Sequence, residues 1–152
     1  MSDQAHRTSI LPPSATRISV LSQVPGILFD WPLHPPGEAL IAAAVLFLLS
    51  ILLNIAAATS FSRRRIGIVP FTEAPQLAQS GVFRFTRNPM YLGLVFFSAA
   101  IWVGTGVWYN FFAPVLLAVW LHLFYVLREE AFLRLRFGEA YEDYCRRVPR
   151  WL

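Results

Sequence analysis

Residues 39–61 form an apolar run that carries no charged side chain. A helix of about 20 apolar residues crosses the hydrocarbon core of a bilayer. In lipid, each backbone N–H and C=O of such a segment must be satisfied internally, which leaves the helix as its form. Asn54 is the most polar residue of the run, Pro35-Pro36-Gly37 breaks the chain before it, and Arg63-Arg64-Arg65 stops it. Three consecutive arginines resist translocation, so this end of the span is expected in the cytosol. Composition agrees with a membrane protein. Charged residues make up 14% of the chain, against about 25% in soluble domains.

Two further spans are expected, at 90–108 and 111–127. Gly104-Thr105-Gly106 and Tyr109-Asn110 leave room only for a tight turn between them, so these helices should form an antiparallel hairpin. Pro114 falls in the first turn of the third span, where its missing N–H costs little. Trp102, Trp108 and Tyr109 are placed for an aromatic belt. Ahead of the first span, 18–33 is apolar but broken by Pro25, Gly26 and Pro32. It is short for a crossing. The region 18–37 is therefore expected to be interfacial or re-entrant, with Trp31 at headgroup level. Residues 1–17 are polar and expected to be a flexible N-terminus, with no cleavable signal peptide. All basic side chains besides histidine are arginine, and eleven of the thirteen fall in 62–88 or 128–152. This asymmetry predicts an outside N-terminus and a cytosolic C-terminus. The arginines sit beside apolar spans rather than on a polar fold, so no nucleic acid is expected as a partner. Cys145 is the only cysteine, which excludes an intrachain disulfide and suits a buried or tolerated thiol.

The tail has its own periodicity. Leu133, Phe137, Tyr141, Tyr144, Val148 and Trp151 recur at intervals of three and four, which is one face of a helix. Continued backwards, the stripe passes through Glu129, Tyr125 and His122, so Glu129 should project inward near the lipid boundary. Gly138 interrupts the pattern and is a place for a bend. The expected architecture is an all-α membrane bundle of three core spans, an interfacial N-terminal segment and an amphipathic C-terminal cytosolic helix over 128–152, in one domain.

Polar groups stand in two places where apolar burial would be expected. At Arg87-Asn88-Pro89-Met90-Tyr91, Pro89 pre-sets a helix start and Asn88 is placed as its N-cap. On spacing alone this is a capped helix with an arginine anchor. At Arg128-Glu129-Glu130, two adjacent carboxylates need cations; on spacing alone they are solvated surface ion pairs of little energetic weight. The functional reading brings the helix ends together, so that Arg87, Asn88, Tyr91 and Glu129 line one polar pocket.

Gly81-Val82-Phe83-Arg84-Phe85-Thr86-Arg87-Asn88-Pro89-Met90-Tyr91-Leu92-Gly93 resembles the entry motif of the isoprenylcysteine carboxyl methyltransferase family, which is related to the phospholipid N-methyltransferases. Arg128-Glu129-Glu130, Phe137-Gly138-Glu139-Ala140-Tyr141, Tyr144 and Val148-Pro149-Arg150 resemble its C-terminal signature. The resemblance, to the bacterial type, covers about 40–152. It implies a bacterial inner-membrane enzyme with a pocket for S-adenosylmethionine at the cytosolic surface, closed over by the C-terminal segment. It also implies that Asn88, Pro89, Met90, Tyr91 and Glu129, with Glu130 beside it, contact that cofactor. Asn88 stands where many relatives have His, and both donate a hydrogen bond. Tyr125 stands where the eukaryotic isoprenylcysteine enzymes have an Arg linked to substrate.

The chemistry is consistent with an interfacial site. A polar cofactor arrives from water and a lipophilic methyl acceptor arrives laterally through membrane lipid. The acceptor could be an isoprenylcysteine-like carboxylate, a phospholipid amine or another hydrophobic molecule. Alignment and exclusion of water are the protein's main tasks. Glu129 is expected to meet the cofactor's ammonium or ribose hydroxyls, and Arg87 its carboxylate. Tyr91, Tyr125 and His122 are the candidates for a catalytic proton acceptor, and no metal is expected. Two rivals remain open: a membrane reductase using NAD(P)H on a related architecture, and a non-catalytic membrane adaptor whose motifs only cap helices.

Overall fold

The computed structural model describes residues 12–29, 35–63 and 77–152. Residues 1–11, Trp31, Glu73 and the Arg64-Arg65 part of the arginine run lie outside the described residues. Among the described residues the fold is all-helical, without a strand. Two helices among the described residues are long and apolar enough to cross a membrane, Gly37–Ser60 and Trp108–Phe137; the apolar helix Pro89–Thr105 is shorter.

Helix α3, Gly37–Arg63, contains the first expected span. It packs mainly on α4, Pro89–Thr105. Its remaining surface is a broad exposed apolar face that includes Leu40, Ile41, Val45, Leu48 and Leu52. In a water-soluble protein such a face would be a liability; in lipid it is the expected outer surface. The α3–α4 contact depends on small residues. A Cβ added at Gly93 would run into the Asn54 amide and stand 3.1 Å from the Ser50 carbonyl oxygen. That amide is itself held in place, donating to the same Ser50 carbonyl at 2.9 Å.

Helix α4 ends at Gly106, whose φ of 69° places it in the left-handed region and whose N–H donates to the Trp102 carbonyl. Glycine reaches this conformation without steric cost. A 3₁₀ turn, Trp108–Phe111, then leads into α5, Phe112–Leu121, and α5 packs back on α4.

The expected third span at 111–127 is part of a longer helix. After α5 comes a π-helical turn, His122–Val126, and then α6, Leu127–Phe137. The C-terminal region is accordingly not one helix. It consists of most of α6, a break at Gly138 with φ 52° and ψ −125°, and α7, Glu139–Arg147. Tyr141, Tyr144 and Val148 form a core with Leu77, Leu133 and Phe137, which is the stripe read from the sequence. Trp151 departs from that stripe and packs against Tyr91, Leu117, Leu121, Tyr125 and Val126 instead.

The N-terminal region differs from expectation. The flexible segment expected over 1–17 is helical from Pro12 onward, in α1, Pro12–Leu21. Helix α1 packs on α4 and α5, with Ala15 in the core beside Tyr91 and Leu117. A short α2, Val24–Phe29, comes next. Buried polar bonds fasten this segment to the bundle. Ser19 Oγ lies 2.8 Å from Ser98 Oγ and donates to the Ala113 carbonyl, and Gln23 Nε2 donates to Ser98 Oγ at 3.2 Å. Buried side-chain polar groups are costly unless paired, so these bonds give α1 one seat between the two helices rather than a loose position on the surface.

Candidate functional site

The N-terminal end of α4, the start of α6 and the chain after α7 meet at one end of the bundle. Pro89 occupies the first turn of α4, and Asn88 the N-cap position, as the sequence indicates. The Asn88 side chain does not cap the helix. Its Nδ2 donates to the Arg150 carbonyl oxygen at 2.9 Å, while the Asn88 N–H donates to Thr86 Oγ1. Thr86 Oγ1 also donates to the Arg150 carbonyl, at 3.3 Å, and the Arg87 N–H donates to the Pro149 carbonyl at 3.0 Å. The last residues of the chain are thus strapped across the start of α4.

The two adjacent acids of α6 have different surroundings. Glu130 is buried at 3% exposure. Arg150 donates to it through both Nε (2.7 Å) and Nη2 (2.8 Å), in a forked pair. Arg87 Nη1 lies 3.1 Å from Glu130 Oε1, and Arg134 approaches to 3.9 Å. Planar guanidinium and carboxylate groups suit this forked geometry. The bond to Glu130 raises the pKa of Arg150 above its ordinary value. Glu129, one position earlier, is only partly buried and accepts a hydrogen bond from the Tyr91 hydroxyl at 2.9 Å. Among the described residues it has no cationic partner.

The π-helical turn contributes to this arrangement. A π turn adds a residue to the regular α spacing and rotates the residues after it about the helix axis, and such turns are frequent at functional sites. Here Tyr125 and Val126 are both buried immediately before it ends, and both Glu129 and Glu130 then find partners on the inner side of α6. Tyr125 stacks obliquely near Tyr91, with ring centroids 6.1 Å apart. His122 makes no hydrogen bond with this group. Its buried Nδ1 has no partner among the described residues, and its ring lies 6.3 Å from that of Trp151. Met90 is half-buried beside Pro89.

Helix α7 is fastened to the 3₁₀ turn Gly81–Arg84 that precedes α4. The Tyr144 hydroxyl donates to the Phe83 carbonyl at 2.7 Å. Burial pushes the phenol's pKa well above its ordinary value, so it stays protonated and keeps donating. Arg87 Nη1 also donates to the sulfur of Cys145, which gives the lone thiol a polar partner rather than an inert setting.

The expected single pocket of Arg87, Asn88, Tyr91 and Glu129 therefore resolves into two neighbouring groups. Tyr91, Tyr125 and Glu129 form one. Arg87, Asn88 and Glu130 join Thr86, Pro149 and Arg150 in the other. Sequence reasoning missed Thr86 and Arg150 as site residues, although Val148-Pro149-Arg150 stood in the C-terminal signature. It also placed Glu130 with Glu129 among the cofactor contacts, where the structure gives it arginine partners.

An all-helical bundle with long apolar helices, and a polar cluster at one end, is the layout of a membrane protein. Residues 39–140, more than half of the chain, match the phospholipid methyltransferase family. The chain belongs to that family, which marks it as a membrane methyltransferase. No curated protein and no solved structure matches it.

Proposed function

We propose that the protein transfers the methyl group of S-adenosylmethionine to a lipophilic acceptor at the cytosolic face of a bacterial inner membrane. In this reading α3, α4 and the Trp108–Phe137 helix are the three core spans. The 17 residues of α4 extend about 26 Å at the α-helical rise, near the lower limit for a span. Eleven of the thirteen arginines fall in 62–88 and 128–152, the two stretches of sequence that carry the site residues, which favours a cytosolic location for it.

The observation that carries the proposal is the contrast between the paired acids. Glu130 is met by three arginines, whereas Glu129 has a phenol and no cation among the described residues. A partly buried carboxylate without a counter-charge suits a cationic ligand. S-adenosylmethionine carries a sulfonium and an ammonium, and it supplies an electrophilic methyl group whose transfer leaves a neutral thioether. Glu129 would hold the positive charge of the cofactor, oriented by the Tyr91 hydroxyl. Asn88, Pro89 and Met90 would form the adjoining wall where the strap crosses. Arg87, expected from sequence to meet the cofactor's carboxylate, is engaged by Glu130 and would act mainly as part of the wall. Tyr125 and Trp151 would exclude water beneath it.

The test is methyl transfer by the purified protein in detergent, using radiolabelled cofactor and an extract of host lipids. Label should enter a lipid-soluble product, and Glu129→Gln should lower the initial rate at subsaturating cofactor at least about tenfold, the scale for losing a charge-assisted contact. Absence of labelled product with active-site folding intact, or an unaffected Glu129→Gln rate, would refute the proposal.

A further inference from the structure

We infer that Glu130 is a positioning residue rather than a cofactor ligand, and that it latches the C-terminal strap Pro149–Trp151 onto the start of α4. This deepens the proposed methyl-transfer site and rests on that reading. The latch is defined by contacts independent of any ligand. Both Glu130 oxygens accept from Arg150, and one of them also faces Arg87. A carboxylate with 4% side-chain exposure, already committed to a fork and further cations, has little capacity left for a ligand. Removing one partner from such a buried pair leaves an uncompensated charge.

What the latch holds is the segment that completes the site. With Arg150 fixed by Glu130, its carbonyl stands where Asn88 Nδ2 and Thr86 Oγ1 both donate to it. The Pro149 carbonyl takes the Arg87 N–H. Trp151 is carried into the apolar cluster of Tyr91, Leu117, Leu121 and Tyr125, whose Tyr91 hydroxyl bonds Glu129. Glu130 and Arg150 are 20 positions apart in sequence and separated by the Gly138 break, so the fork closes α7 and the strap back onto α6. Its effect on the cofactor is therefore transmitted through Arg150, whereas Glu129 would act directly.

A double-mutant cycle distinguishes these roles. Glu130→Gln, Arg150→Ala and the double variant are purified in full-length form. Their affinity for S-adenosylhomocysteine and the hydrogen exchange of the strap segment and the Arg87 amide are measured. The expected result is about a tenfold loss of affinity in each single variant and little further loss in the double, the signature of strongly coupled positions. Exchange at the Arg87 amide should accelerate in both single variants without ligand, because its Pro149 acceptor is released. Arg150→Lys should recover only part of the affinity, since an ammonium cannot reproduce the fork. Multiplicative losses in the double variant, or unchanged exchange in both singles, would overturn the latch. If the wild type binds no S-adenosylhomocysteine while exchange still responds to Glu130→Gln, the methyltransferase reading fails and the latch stands.

Discussion

At the scale of single residues, two neighbours of identical chemistry, Glu129 and Glu130, have different surroundings. The inward direction of Glu129 was legible, because the stripe of threes and fours through Tyr125 and Leu133 reaches it. The burial of Glu130 was not, because a regular α spacing does not place adjacent residues on the same face; the π turn at His122–Val126 changes the phase just upstream. Asn88 was legible as an N-cap by position. That its amide serves Arg150 instead depends on a tertiary contact 62 residues away, which no local spacing encodes. Tyr91→Phe is the sharpest residue-scale test of the Glu129 arrangement. It keeps the ring against Tyr125 and removes only the hydroxyl that donates to the carboxylate. Cofactor affinity should fall at least about tenfold, the lower end of the range for one hydrogen bond to a charged group, with thermal stability nearly unchanged. A binding curve superimposable on that of the wild type would show that the phenol does not orient Glu129.

At the scale of elements, the apolar runs made the helices predictable and their endings less so. Helix α3 is two residues longer at each end than the apolar run 39–61. The third helix continues ten residues past Leu127 because α6, although charged, buries Glu130 and lays Leu133 and Phe137 against α7. Charge density marks where a helix leaves the lipid, not where it stops. The α3–α4 contact was not foreseen, since Gly93 appeared only as the end of a motif. Its physical role is close approach: Gly93→Ala presses a methyl group toward the Ser50 carbonyl and the Asn54 amide. We expect a loss of about 1–3 kcal/mol, the usual cost of overpacking, read as a lower melting midpoint in detergent. Gly104→Ala, whose added Cβ would meet only the Ala43 methyl, at 3.3 Å, should cost less. Equal melting of Gly93→Ala and wild type would show that the helices are not packed through this point.

At the scale of the whole molecule, the bundle brings a wet end and an apolar body into one piece. Three segments distant in sequence meet at the polar end: the start of α4, the third helix beyond its π turn, and residues 149–151. The N-terminal segment shows the limit of hydropathy. Pro25, Gly26 and the short apolar length argued for an interfacial or re-entrant segment, but they did not reveal that Ser19 and Gln23 find Ser98 and Ala113 inside the bundle, a complementarity that exists only once α4 and α5 have paired. The most direct test of the whole account is an equilibrium titration of the purified protein with S-adenosylhomocysteine, beside one with NADPH, on the wild type and Glu129→Gln. The account predicts saturable binding of S-adenosylhomocysteine, no binding of NADPH, and affinity at least about tenfold weaker in the variant. Binding of NADPH alone, or equal affinity in the two proteins, would contradict it.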